Sequence, residues 1–445
     1  MVEDKRCVFV SDANPAIIKN KDLCSNCGHC KAVCSEEIFV DGHVILGRES
    51  ENMCIHCGQC SVVCPEQAIQ VRSELDNVRT AIQDPKKIVI FSTSPSVRVG
   101  IGDGFLDKSG VYSEGKMVSA LRRLGGDYVL DVTFSADLTI VEEGMELIRR
   151  ILTPNSVLPQ FTSCCPAWVK YAEMYHPELL ANLSSAKSPI GMQGALIKTY
   201  FAQKHHLNPR NIVNVAVTPC TAKKFEIRRP EFHDAGDMLN IPGMRDNDYV
   251  ITCKELVQWM KEDKLNFADL PESEFDSLLG KGSGSGVIFG NTGGVMEAAL
   301  RMAYECLTGE SPKDTLLHFK PVRGLQGIKE ASVTIGDRTI HTAVVYGTAN
   351  VEKLIQSDLS NYHFIEVMTC PGGCISGAGQ PQRNEYPPTN RIRHSRIASL
   401  YQEDSKMQLR NSIDNPEIRK IYNEFLKMPL GERSEKLLHT KYYRQ

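Results

Sequence analysis

Cys24-Ser-Asn-Cys27-Gly-His-Cys30-Lys-Ala-Val-Cys34 is followed, 30 residues on, by Cys54-Ile-His-Cys57-Gly-Gln-Cys60-Ser-Val-Val-Cys64-Pro65. Both runs read C-x2-C-x2-C-x3-C, an internal repeat. A loop of that length wraps three thiolates around three irons of a cubane, and the fourth thiolate reaches across to the other cubane. The pattern assigns Cys24, Cys27, Cys30 and Cys64 to one 4Fe-4S cluster, and Cys54, Cys57, Cys60 and Cys34 to a second. Zinc is the competing reading, because C-x2-C pairs also form tetrahedral four-cysteine sites, although zinc pairs rarely carry this register twice. Ser35 stands where the second run has Pro65, which leaves every ligand in place. With eight thiolates assigned, His29 and His56 need no role and read as solvated loop histidines.

Residues 1–84 resemble a bacterial two-cluster ferredoxin module. Such a module only moves electrons, at low potential, about −400 mV for the plant type, so the rest of the chain is expected to house a low-potential reaction. At 445 residues the chain exceeds what one core usually carries. Its 42% hydrophobic and 24% charged content suits a folded protein. Lys plus Arg at 51 against Asp plus Glu at 54 gives a net charge of −3, with no footprint for nucleic acid. No uninterrupted apolar stretch approaches the roughly 18 residues of a membrane span, and the opening residues lack a basic end followed by an apolar block. A cytoplasmic protein is expected. In a reducing compartment, 16 cysteines point to metal or thiol chemistry rather than a disulfide framework.

Working outward, residues 74–84 read as a connecting helix, Pro85 breaks it, and Lys87-Ile-Val-Ile-Phe-Ser-Thr93 reads as a buried strand. Strands are expected at 128–132, 212–217, 249–252, 287–289, 342–346 and 364–368, separated by amphipathic helices near 116–124, 137–152, 186–205, 253–263, 293–307 and 349–358. This alternation argues for mixed α/β layers. Gly282-Ser-Gly-Ser-Gly286 reads as a flexible loop. Beyond about 386 the chain turns helical and charged, with an apolar stripe of Ile418, Ile421, Tyr422 and Phe425 that should dock on the main domain. Three units are expected: 1–84, 85–385 and 386–445.

Eight cysteines remain. Cys7, Cys253 and Cys306 stand alone and read as structural. The others lie in Thr162-Ser-Cys-Cys-Pro-Ala-Trp168, Thr218-Pro-Cys-Thr-Ala-Lys-Lys-Phe-Glu226 and Glu366-Val-Met-Thr-Cys-Pro-Gly-Gly-Cys-Ile-Ser-Gly-Ala-Gly-Gln-Pro381. Each segment is read as following a strand, at the strand ends where α/β sites assemble. Taken singly they leave open a vicinal Cys164–Cys165 disulfide, a redox Cys370–Cys374 pair, or zinc.

Together and in order, the three segments resemble the signature motifs of the FeFe-hydrogenases, and with the ferredoxin module the resemblance covers essentially the whole chain. It implies a two-lobed α/β catalytic domain with a helical C-terminal wrap similar to the family's small subunit. It also implies an H-cluster: a cubane held by Cys165, Cys220, Cys370 and Cys374, bridged by Cys374 to a diiron unit with CO, cyanide and a dithiolate. Cys164 is similar to the thiol that passes protons to the bridging amine. Lys223 resembles the lysine that hydrogen-bonds a cyanide, Met368 the methionine touching the cluster, and Ser96, in Ser94-Pro95-Ser96, the pocket wall.

In Glu142-Glu143-Gly-Met-Glu146-Leu-Ile-Arg-Arg150, residues 143, 146 and 150 fall at i, i+3 and i+7 and share one helix face. Two carboxyls and a guanidinium in file can form an acid/base relay, although taken alone they read as a solvated helix face with an ordinary ion pair. They match the family's relay, and Ser184 matches the serine joining its two glutamates. Thr218, Ala167, Ala378 and Ile190 depart from residues common in the family; none is an expected ligand or relay member. The resemblance implies a catalyst of 2H⁺ + 2e⁻ ⇌ H₂, with a soluble ferredoxin or similar carrier as electron partner and maturation proteins to install the diiron unit. A low-turnover hydrogen sensor and a hydrogenase-like iron-sulfur scaffold protein are the alternatives.

Overall fold

The computed structural model describes residues 7–40, 54–106, 108–382 and 389–444. In the first unit, β1 (Ile17–Lys19) and β2 (Ile69–Val71) pair antiparallel, with Ile18 opposite Gln70. The cysteine repeat is also a backbone repeat. Asn26 and His56 have positive φ, as do Gly28 at 86° and Gly58 at 70°, and each glycine opens a short helix, His29–Ala32 or Gln59–Val62. Glycine meets that left-handed requirement without steric cost. At Gly58 a side chain would also strike Thr221 and Ala378, so this loop sits directly on the main domain.

The main domain is built on β3 (Ile88–Thr93), β4 (Tyr128–Asp131), β5 (Gln160–Phe161), β6 (Ile212–Thr218), β7 (Tyr249–Thr252), β8 (Ile328–Ile335), β9 (Arg338–Tyr346) and β10 (Phe364–Met368). One sheet runs β4-β3-β6-β7, all parallel; the other runs β5-β10-β9-β8, parallel except for the β8–β9 hairpin. Every residue of β6 and β10 is buried, as parallel strands covered on both faces require. One face of the first sheet carries Val89, Phe91, Val215 and Val217 against Leu121, Trp259 and Met260. Its other face packs on the long helix Val132–Leu152 and on Ile418, Ile421, Tyr422 and Phe425 of the tail, which docks as expected. Arg396, from the tail helix Asn390–Lys406, reaches inward to Asp103 at 2.7 Å and to the carbonyls of Ile375 (2.7 Å) and Pro381 (2.9 Å).

Several expectations are corrected. Residues 287–289 are not a strand: Gly284–Ile288 is a helix. The Gly282–Gly286 run is no flexible loop, because Ser283 and Ser285 are fully buried and Asp137 accepts the Ser283 N–H (2.7 Å) and hydroxyl (2.6 Å). Side chains at 282 and 286 would strike Thr133, so glycine here permits close helix packing. The long helix starts at Val132 rather than 137, because Asp131 caps it by accepting the Thr133 N–H at 2.9 Å. The 385/386 division falls outside the described residues.

Candidate functional site

The three cysteine segments leave the C-terminal ends of β5, β6 and β10 and meet the Ser94–Ser96 turn after β3. They enclose a cavity of about 70 Å³, walled by Cys164, Cys165, Cys220, Cys370 and Cys374 with Ser96, Lys223, Met368 and the departure residues Ile190 and Thr218. Cys165, Cys220, Cys370 and Cys374 are electrostatic neighbours of one another. Among the described residues no three His, Cys, Asp or Glu side chains converge on a single-ion position; these thiols surround a larger space. Four thiols around a mostly apolar cavity suit an iron-sulfur group with an attached unit, and the fully buried Ser96 hydroxyl, without a partner among the described residues, fits a polar ligand there.

Local backbone geometry sets these thiols. Gly373 lies between Cys370 and Cys374 at φ 97°, where an added Cβ would come within 2.6 Å of the Thr292 nitrogen and 2.9 Å of the Met368 sulfur. Thr218 accepts the Cys220 N–H at 3.3 Å. Lys223 is buried rather than solvated: it donates to Glu226 at 2.8 and 2.9 Å and to the Cys164 carbonyl at 3.2 Å. Of the other departures, Ala378 faces Gly58 and Ala167 belongs to the core around Trp168.

From Cys164 a file of groups leads outward along the long helix. Glu143 is fully buried and electrostatically adjacent to Cys164, and its carboxyl faces the Ser184 hydroxyl and the Ser163 N–H. Burial, then the nearby Glu146, pushes its carboxyl up to about 8. Burial also holds the Cys164 thiol well above its usual range, with Glu143 adding to the effect. Ser184 donates to Glu146 at 2.8 Å, and Glu146 accepts Arg150 at 2.7 Å. Arg150 spreads its remaining donors over the carbonyls of Ala181, Asn182 and Leu183, nearer the surface.

In the ferredoxin-like unit, Cys34 lies with Cys54, Cys57 and Cys60, so the last cysteine of the first run sits among those of the second. Val33 and Val63 line one surface pocket, bringing the two runs together near Cys64 as well. Cys24 and Cys30 both face Cys7, whose sulfur is 3.5 Å from that of Cys24; Cys27 is exposed. Cys7 therefore adjoins an expected ligand, Cys306 is exposed, and Cys253 is buried as expected. His56 is buried, contrary to expectation, while His29 is exposed.

The sequence reading also missed Gln59, which is buried and donates to the Cys370 sulfur at 3.2 Å and to the Ser376 carbonyl at 3.2 Å. It directly hydrogen-bonds the second ferredoxin run to a cysteine of the main cavity. The contrast of Cys-Gly-Gln-Cys with Cys-Gly-His-Cys in the first run was the available signal.

Three family descriptions match the chain: iron only hydrogenase large subunit, C-terminal domain, over residues 87–378; iron hydrogenase small subunit over 390–445; and a 4Fe-4S dicluster domain over 23–69. The chain belongs to the iron-only, or FeFe, hydrogenase family. It is 42% identical over 451 residues to iron hydrogenase 1 of Clostridium pasteurianum, covering 98% of this chain and 77% of that protein. Its fold matches apo FeFe-hydrogenase HydA1 of Chlamydomonas reinhardtii with a TM-score of 0.72 at 38% identity, covering 84% of this chain and 99% of that one. Bovine cytosolic iron-sulfur assembly component 3 is 31% identical over 385 residues, covering 84% of this chain and 78% of that protein. The matched dicluster and hydrogenase domains correspond to a cofactor set of ferredoxin-type 4Fe-4S clusters and an H-cluster, and the described residues fit that set.

Proposed function

We propose that this FeFe-hydrogenase interconverts protons and hydrogen, 2H⁺ + 2e⁻ ⇌ H₂, and that Cys165, Cys220, Cys370 and Cys374 would hold its H-cluster. The observation that carries the reading is the convergence of those thiols on a cavity from which Cys164, Glu143, Ser184, Glu146 and Arg150 lead toward the surface. When bound, the cofactor supplies electrons and the place where the H–H bond is made or broken. The chain supplies positioning and proton transfer.

With Cys164 and Glu143 both held up in the range where they keep their protons at neutral pH, each can give one up and recover it. Ser184 donates to Glu146 and retains a lone pair toward the Glu143 proton, so one hydroxyl can link two carboxyls that do not touch. Arg150 anchors Glu146 at the outer end through an ion pair at 2.7 Å. Lys223, Ser96 and Met368 line the cavity, where a lysine and a serine suit anionic ligands.

Electrons would enter through the cluster of Cys24, Cys27, Cys30 and Cys64, where Cys27 is exposed, and pass to the cluster of Cys54, Cys57, Cys60 and Cys34, whose loop touches Cys370 through Gln59. A soluble low-potential carrier such as a ferredoxin is the natural partner. Maturation proteins would install the diiron unit, and an anaerobic cytoplasm suits the chemistry; among the described residues no helix is long and apolar enough to cross a membrane. We retain 1–84, 85–385 and 386–445 as the working division. The assembly-protein reading needs cubanes but no acid file, and the file from Cys164 to Arg150 favours catalysis.

Cys164→Ala tests the proposal. Hydrogen evolution from reduced viologen should fall by at least a hundredfold while iron content and cofactor signals persist; wild-type turnover in that variant would refute the proton role.

A further inference from the structure

His56 occupies the x2 spacer between Cys54 and Cys57, where nothing in cluster ligation asks for a histidine. It is buried, and its ring lies 4.8 Å from that of Phe225. Its Nε2 is 2.8 Å from the ammonium of Lys170, itself buried and seated 4.4 Å over the Phe225 ring. A lysine ammonium only donates, so Nε2 must accept and the ring proton must sit on Nδ1. Nδ1 is 3.2 Å from Asn14 Oδ1, which fixes that side chain's amide with its NH₂ group 3.5 Å from the Cys54 sulfur. The Asn14 orientation is held independently, because Oδ1 also accepts the Ala16 N–H at 2.9 Å and the Ile17 N–H at 3.2 Å. Every donor from Lys170 to Cys54 therefore points toward the sulfur.

A row of hydrogen bonds oriented one way polarises along its length, more strongly in a low-dielectric interior than in water. The nearby carboxylate of Glu173 is held by the Arg229 guanidinium at 2.5 and 2.9 Å, so that negative charge is committed elsewhere.

We propose that Lys170, acting through His56 and Asn14 on Cys54, is a positioning residue that raises the reduction potential of the second ferredoxin cluster. Adding an electron to a thiolate-ligated cubane increases its negative charge, and a fixed cation with N–H donors aimed at a ligand sulfur stabilises that reduced state. Electrons entering at the exposed first cluster are thereby drawn to the cluster whose loop touches Cys370. The inference rests on reading the eight N-terminal cysteines as two cubane sites.

The test is an EPR-monitored redox titration of the full chain, reconstituted anaerobically, as wild type and as Lys170→Met, Lys170→Gln and Lys170→Arg. Iron and sulfide analysis of the wild type comes first: absence of two ferredoxin cubanes would defeat the cluster reading itself. With both present, Lys170→Met and Lys170→Gln should move one ferredoxin midpoint to lower potential and leave the other in place, while Lys170→Arg keeps the wild-type value. Unmoved midpoints in the two neutral variants would overturn the proposal, as would an arginine variant that shifts as far as methionine. It is equally overturned if neither neutral variant holds the second cluster while the arginine variant does, since the lysine would then serve assembly rather than potential.

Discussion

Glu143→Gln preserves the shape of a fully buried side chain while removing its one acidic proton. In the wild type the carboxyl is pushed up to about 8, first by burial and then by Glu146, with Cys164 and Glu366 also facing it. At pH 7 about nine-tenths of the molecules therefore carry the proton, and at pH 9 about one-tenth. The raised value means the folded state binds this proton more tightly than the unfolded chain. The linked stability, on the order of 5 kcal/mol, is present in full below about 4.5 and is lost as pH rises toward 8.

Two consequences are measurable. Hydrogen evolution from reduced viologen should lose about 100- to 10,000-fold in Glu143→Gln, the usual worth of a general acid. The same variant should be more stable than wild type above pH 8, because an uncompensated buried charge can no longer form. Activity and thermal melts between pH 6 and 9 read both effects, with infrared spectra confirming an intact cofactor. Wild-type turnover in Glu143→Gln would refute the relay, and identical pH dependence of the melts in the two proteins would refute the assigned protonation state.

Gln59→Leu removes the donor to Cys370; the midpoint of the cubane should fall in an EPR titration of protein lacking the diiron unit, and an unchanged value would show that the contact does not tune it. Arg396→Met strands the buried Asp103 and frees the carbonyls of Ile375 and Pro381, so denaturant unfolding should show a loss of about 3–5 kcal/mol. Gly373→Ala combines φ 97° with a clash against Thr292 and Met368; iron analysis should show the main cubane depleted and the ferredoxin clusters retained.

The parts legible in sequence were those with local causes. β3, β6 and β10 are apolar runs because both their faces are covered, and residues 143, 146 and 150 share a face by helix geometry alone. The cysteine repeat carried its own spacing rule. What escaped was set by distant partners. The glycines at 282 and 286 look flexible until Thr133 is placed against them. His56 looks solvated until Lys170, 114 positions away, meets it, and the link of Gln59 to Cys370 spans 311 positions. The edge strand β8 alternates buried and exposed residues and carries Lys329 and Glu330, so it lacked the continuous apolar signal of the central strands.

The infrared spectrum of anaerobically purified protein, taken after the diiron cofactor is supplied, tests the central claim most directly. The account predicts metal-bound CO and cyanide bands that shift under hydrogen. Intact cubanes with verified cofactor supply and no such bands would contradict it, and would make an iron-sulfur assembly role the better description.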